Sequence, residues 1–215
     1  MVKSTAYHLH ENIPPGYYRQ GIRRNLLQKI WHTNRFGAVS DFVMPTRGEI
    51  LDIGCADGTF SQVILEKTGA EKLVGIDVVD HLIADDQQYF KNNGKMEFLV
   101  ADAHNLPFAD GTFDAVFALE VLEHVENPRQ VLSEVKRVLK PDGYIVILVP
   151  NETLLFKIEW WLFRTFGPAK IWNDTHIQEY SKNTLLKMVT QAGFAVVRQK
   201  RFNLGTLEII QAKPF

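Results

Sequence analysis

Five short, nearly all-apolar runs recur between residues 49 and 149: Glu49–Ile53, Leu73–Asp77, Met96–Val100, Phe113–Ala118 and Tyr144–Val149. Runs of this length, bounded by glycine, proline and polar turns, predict buried strands. Between them the apolar residues change to helical spacing. Phe60, Val63 and Ile64 predict a helix from Thr59 to about Thr68. A second runs from Asp80 to about Asn92, stopped by Asn93-Gly94, and a third from Asn127-Pro128 to Leu139, with Val131, Leu132, Val135 and Val138 on one side. Proline fits the first turn of that third helix, and Pro141-Asp142-Gly143 ends it. Strands alternating with helices predict an α/β, Rossmann-like, doubly wound sheet, mainly parallel, with right-handed crossovers.

The flanks read differently. Residues 1–18 are polar, end near Pro14-Pro15-Gly16 and predict an arm or loop. From Arg19 to Met44, Ile22, Leu26, Leu27, Ile30, Phe36, Val39, Phe42 and Val43 predict one or two helices, with Gly37 as a candidate break. Beyond Pro150 lies an aromatic-rich insertion reaching about Tyr180, then a helix from Ser181 to Ala192 closed by Gly193. The runs Ala195–Arg201 and Leu207–Ala212, joined across residues 203–206, predict a hairpin and an antiparallel last strand, the seventh of the sheet. The expected organisation is a cap of residues 1–45 on a domain of residues 46–215, with a helical lid insertion at about 151–180.

Composition narrows the function. The 215 residues are 46% hydrophobic and carry a net charge of −1, which argues for a globular domain and against a nucleic-acid binder. Cys55 is the single cysteine, so no internal disulfide or multi-cysteine metal site is expected. No secretory signal and no membrane-spanning run is expected, and the expected location is cytoplasmic.

An open parallel sheet binds ligands at the carboxyl ends of its strands. The polar residues there are Asp52 and Gly54, Asp77, Asp102 and Glu120. Asp77 lies 19 positions after Gly58, the placement of an acid that accepts from ribose hydroxyls. The glycine loop is Gly54-x-Ala56-x-Gly58, with Ser61 where a dinucleotide fingerprint has its third glycine, which disfavours a nicotinamide oxidoreductase.

The ordered set Glu49–Phe60, Val74-Gly75-Ile76-Asp77, Ala101-Asp102-Ala103 with Leu106-Pro107-Phe108, Phe113-Asp114-Ala115-Val116, Leu119–Val125 and Val138–Tyr144 resembles the class I S-adenosylmethionine-dependent methyltransferases, in particular the ubiquinone and menaquinone biosynthesis group. The resemblance is tight over about residues 46–150. It implies that Gly54, Cys55, Ala56 and Gly58 wrap the methionine part of S-adenosylmethionine, oriented by Asp52. It further implies that Asp77 holds the ribose, Val78 packs on adenine, Asp102 and the backbone of Ala103 meet the adenine ring, and Leu119 and Glu120 line the wall facing the methyl group. Ala56 departs from the family's usual glycine; alanine there is cheap at negative φ and strained at positive φ.

Methyl transfer from a sulfonium is an in-line displacement that needs alignment and exclusion of water. A base is required only for a protonated hydroxyl or a carbon acid. The candidates are His124, His176, Tyr180 and Glu120. His8, His10, His32, His81 and His104 show no constellation, no metal site is expected, and Cys55 reads as a small loop residue without a base beside it. The segment Leu154–Phe166 is apolar nearly all round a helix and reads as a lid packed on the core, a lid over a hydrophobic acceptor, or a dimer or membrane-surface contact. Trp160, Trp161 and Tyr180 are expected to touch the acceptor.

The resulting expectation is methyl transfer to a small, lipophilic or aromatic acceptor at oxygen or carbon, releasing S-adenosylhomocysteine, by a monomer or homodimer. An RNA or protein methyltransferase and a non-catalytic cofactor-binding or peripheral membrane protein are the alternatives. Against the nucleic-acid reading, no Asn/Asp-Pro-Pro-Tyr/Phe sequence follows the fourth strand.

Overall fold

The computed structural model describes residues 4–166, 176–180 and 183–215. The elements run α1 (Thr5–His10), α2 (Tyr17–Arg24), α3 (Leu26–Phe42), β1 (Glu49–Ile53), α4 (Thr59–Thr68), β2 (Lys72–Asp77), α5 (Asp80–Tyr89), β3 (Met96–Val100) and β4 (Phe113–Leu119). A 3₁₀ turn at Leu122–His124 leads to α6 (Pro128–Val138), β5 (Leu139–Pro150), α7 (Leu154–Phe166), α8 (Thr184–Gln191), β6 (Phe194–Phe202) and β7 (Leu207–Pro214).

The seven strands form one sheet in the order β3-β2-β1-β4-β5-β7-β6. β1 pairs in parallel with both β2 and β4, so chain order reverses beside β1 and opens a crevice at the strands' carboxyl ends. β7 is antiparallel to β5 and to β6, as the hairpin predicts.

The period-two alternation of each strand divides the core between two faces. Leu51, Ile53, Val116, Ala118, Ile145 and Ile147 pack with Val131, Leu132 and Val135 of α6 and Leu185 and Val189 of α8. Ile50, Leu73, Ala115, Phe117, Val146 and Leu148 pack with Val39 and Phe42 of α3, Ile64 and Leu65 of α4, and Ile83 of α5. Phe117 and Ile50 are both 0% exposed, and each such side chain contributes about 1.5–3 kcal/mol by leaving water. That two-sided cover is why the strands read as continuous apolar runs.

Several expectations fail at the flanks. Residues 1–18 are not only a loop: α1 lies there, capped by the Ser4 hydroxyl accepting from the Tyr7 N–H at 3.3 Å, and α2 opens at Tyr17. Gly37 lies inside α3 rather than breaking it. The break is at Asn25, whose extended backbone ends α2 and whose Oδ1 accepts from Gln28 N–H at 3.2 Å. β5 begins at Leu139 and includes Pro141-Asp142-Gly143 in a register shift opposite Phe113 and Ala115. α5 ends at Tyr89, short of Asn92. Among the described residues no helix is long and apolar enough to cross a membrane.

Candidate active site

A cavity of about 850 Å³ opens at the carboxyl ends of β1, β2 and β4. Its walls include every residue assigned to the cofactor by sequence except Gly58: Asp52, Gly54, Cys55, Ala56, Asp77, Val78, Asp102, Ala103, Leu119 and Glu120.

The loop after β1 is shaped by three left-handed residues: Gly54 at φ 69°, Ala56 at 53° and Gly58 at 68°. A side chain at Gly54 would stand 2.5 Å from a Val121 methyl, and one at Gly58 would stand 2.4 Å from the Phe90 ring. Glycine is therefore required by space as well as by φ. Ala56 takes the strained conformation, which costs an L-residue about 1 kcal/mol. The Gly54 and Cys55 N–H groups donate to the Ile76 carbonyl at 2.8 and 3.0 Å, fastening the loop to the end of β2.

Asp77 sits at that fastening. Its Oδ2 accepts from Ala56 N–H at 3.2 Å and its Oδ1 from Val79 N–H at 3.0 Å. A carboxylate has about four acceptor sites, so two more hydroxyl donors can be taken. Burial pushes the Asp77 carboxyl up, against the pull of the Val79 N–H, His10 and the Ala56 N–H. Asp52 is deeper. Its Oδ2 accepts from the Ser61 hydroxyl at 2.6 Å, and burial raises its carboxyl to about 7, opposed by that hydrogen bond and helped by Asp77. Asp102, half exposed, accepts from His104 N–H at 2.9 Å and pairs with His104 Nδ1 at 2.7 Å. Cys55 is buried and its thiol is pushed up chiefly by burial, so it is no thiolate nucleophile.

The fourth wall comes from α1 to α3. Arg19 donates its backbone N–H to Asp57 Oδ2 at 2.9 Å and its NH1 to the Asp57 carbonyl at 2.8 Å, and pairs with Asp85 and Asp86 on α5. Arg35 pairs with Glu120, which holds φ 59° just beyond β4. Tyr18, His32 and Arg35 all line the cavity. The sequence reading expected a cap from residues 1–45 but named none of these residues as part of the site. The wall's one early signal is charge: residues 12–40 hold Arg19, Arg23, Arg24, Lys29 and Arg35 and no acid.

Three histidines cluster, and one of them, His10, was expected to have no constellation around it. His10 lies against His124 with ring centroids 4.6 Å apart, and His124 against His176 at 5.2 Å. His176 Nδ1 lies 3.0 Å from Glu152 Oε1. That carboxyl group favours the tautomer that carries its proton on Nδ1 and turns the ring's other nitrogen away from Glu152. Glu123, His124 and His176 bring ligand atoms within 4.8 Å of one another; no ligand set was apparent in the sequence because residues 123 and 176 lie far apart along it.

Two of the three residues expected to contact the acceptor do not line the cavity. Tyr180 is 2% exposed, and its hydroxyl donates to the Leu122 carbonyl at 3.1 Å. Trp161, on α7, is 59% exposed. Neither lines the cavity, whereas Phe156 of α7 does. The Trp160 side chain, and residues 167–175 of the insertion, lie outside the described residues.

A family model described as a methyltransferase domain matches residues 51–147. The chain is 28% identical over 180 residues to a ubiquinone/menaquinone biosynthesis C-methyltransferase of Desulfotalea psychrophila, covering 77% of this chain and 73% of that protein. It is 30% identical over 149 residues to a demethylmenaquinone methyltransferase of Thermotoga maritima, covering 66% of this chain and 64% of that one. Among solved structures, a complex of the Haloferax volcanii Trm112 methyltransferase activator and a putative methyltransferase contains a chain that superposes with a TM-score of 0.76 at 18% identity, covering 100% of both chains.

Proposed function

The chain belongs to the class I S-adenosylmethionine-dependent methyltransferases, and we propose that it methylates a small, lipophilic or aromatic acceptor at oxygen or carbon. The observation that carries the reading is Asp77. An acid at the end of β2, tied by its own oxygen to the left-handed loop of β1, faces a cavity sized for a nucleoside and a second molecule. The residues present fit the cofactor: the loop needs glycine at Gly54 and Gly58, and Asp77 keeps acceptor capacity beyond its two loop bonds.

In this reading Asp77 would hold the ribose hydroxyls and Val78 and Ala103 the adenine faces. Asp102 would accept from the adenine amino group, and Asp52 would orient the methionine end through the loop. S-adenosylmethionine, when bound, supplies an electrophilic methyl group. The chain's share of the chemistry is to align the acceptor and keep water out. Of the nominated bases, His176 is the better equipped: Glu152 fixes its tautomer, and its ring, stacked on Phe156 at 6.0 Å, lines the cavity. It can take the proton from a hydroxyl acceptor, with His124 beside it. Tyr180 is the poorest base, since burial pushes its phenol far up, and Glu120 is engaged by Arg35.

The test is a screen of uncharged phenols, quinols and apolar alcohols for S-adenosylhomocysteine release. Turnover with at least one, lost in His176→Ala for hydroxyl acceptors, supports the reading; binding of cofactor without turnover on any acceptor overturns it.

A further inference from the structure

We propose that Arg35, on the cap, decides which acceptors the cavity takes: its Nε–H donates to an uncharged oxygen of the acceptor, and its pairing with Glu120 turns anionic acceptors away. This inference rests on the methyl-transfer reading of the cavity.

The guanidinium fork can be accounted for nitrogen by nitrogen. One terminal nitrogen lies 3.3 Å from His32 Nδ1, the other pairs with Glu120 Oε2, and the plane lies over the Phe60 ring at 4.9 Å. Burial, and then the neighbouring guanidinium, hold His32 down at about 3, so its imidazole is neutral and accepts at Nδ1. Nε is buried and has no partner. The side chain is only 5% exposed yet lines the cavity, so water does not freely satisfy that donor. A buried N–H on a charged group left unmade is costly, and native structures rarely leave one without a reason.

The surroundings select the partner. Among the described residues lining the cavity, Arg35 is the single Arg or Lys, whereas Asp52, Asp57, Asp77, Asp102, Glu120 and Glu123 all contribute carboxyl groups. Such a wall suits a cationic cofactor. An acceptor carrying its own carboxylate would meet Glu120, whose one countercharge is already engaged. A ketone or hydroxyl oxygen takes the free Nε–H without that repulsion. Phe60, under the guanidinium, and Ile30, Trp31 and Phe156, which line the same cavity, offer its hydrocarbon part apolar wall. Arg35 lies outside the matched domain of residues 51–147, so the cap rather than the shared domain carries this selectivity.

Three probes built on the same tetrahydronaphthalene skeleton test it on protein saturated with S-adenosylhomocysteine, read by tryptophan fluorescence: 1-tetralone with a ketone oxygen, tetralin with none, and tetrahydro-1-naphthoate (naphthoate below) with an anion. The wild type is expected to bind tetralone about ten-fold or more tightly than tetralin, the range for a hydrogen bond to a charged donor, and naphthoate at least ten-fold more weakly than tetralone. Arg35→Met is expected to bring the tetralone-to-tetralin ratio close to one while affinity for S-adenosylhomocysteine stays within about three-fold. Should that variant fold poorly with Glu120 unpaired, Arg35→Met with Glu120→Gln removes both charges, and the same loss of ratio is expected together with relief of the naphthoate exclusion. Equal binding of tetralone and tetralin by the wild type, tightest binding of naphthoate, or a ketone preference that survives either variant overturns the proposal. Failure of the wild type to bind S-adenosylhomocysteine at all would instead bring down the methyl-transfer reading beneath it.

Discussion

Replacing Asp77 by alanine probes the ribose assignment and the loop together. The carboxylate already accepts from Ala56 N–H at 3.2 Å and Val79 N–H at 3.0 Å, and its remaining lone pairs are the ones assigned to two ribose hydroxyls. A hydrogen bond to a charged acceptor is worth about 1.5–3 kcal/mol, and two on one group are not additive, so the expected loss is about 2–4 kcal/mol. That is roughly 30- to 1,000-fold in the dissociation constant of S-adenosylhomocysteine. Freeing the two loop N–H groups to water weakens the fold by about 1–2 kcal/mol, which leaves the protein folded. Asp77→Asn, which keeps one acceptor oxygen and loses the charge, should fall between alanine and wild type. Calorimetric titration with S-adenosylhomocysteine, beside a urea melt of each variant, measures both terms. Wild-type affinity in a folded Asp77→Ala protein would refute the reasoning.

Three further outcomes follow from the same geometry. Ala56→Gly removes a left-handed alanine at φ 53° and should raise stability by about 0.5–1 kcal/mol in urea melts. Asp52, raised to about 7 by burial, binds its proton more tightly folded than unfolded; it supports the fold at pH 4 and withdraws that support as pH rises to about 7. Asp52→Asn, which can still accept from Ser61, should therefore be the more stable protein at pH 8, on the order of 2–4 kcal/mol, with the advantage vanishing near pH 4 when urea midpoints are compared. Arg19→Met removes the side-chain ties to the Asp57 carbonyl and to Asp85 and Asp86 and should weaken S-adenosylhomocysteine binding about ten-fold while exposing α1 and α2 to limited proteolysis.

The sheet was legible because its strands are buried on both faces: runs such as Tyr144–Val149 leave no other reading. The hairpin was legible from Asn203 to Thr206, where three successive residues take positive φ. That Asp52, Asp77 and Asp102 share one cavity was legible because an open parallel sheet gathers the residues at its strands' carboxyl ends. The cap was not. Arg19 meets Asp57 across 38 residues, and Arg35 reaches Glu120 from outside the matched domain. Such pairings leave no periodic trace. Polarity hid α1 behind a loop-like composition, and Gly37 misled because a helix tolerates a glycine when its neighbours Val39 and Phe42 are buried. Tyr180 looked like a substrate contact by residue type; its place was set instead by a backbone carbonyl 58 positions away.

The central claim is that the crevice beside β1 seats S-adenosylmethionine with its adenosyl part between Asp77 and Asp102 and its methyl group toward Glu120. A crystal structure with S-adenosylhomocysteine tests it most directly. The account requires both ribose hydroxyls within hydrogen-bond distance of Asp77 and the homocysteine chain along Gly54–Gly58; density for the ligand elsewhere, or a ribose turned away from Asp77, would contradict it.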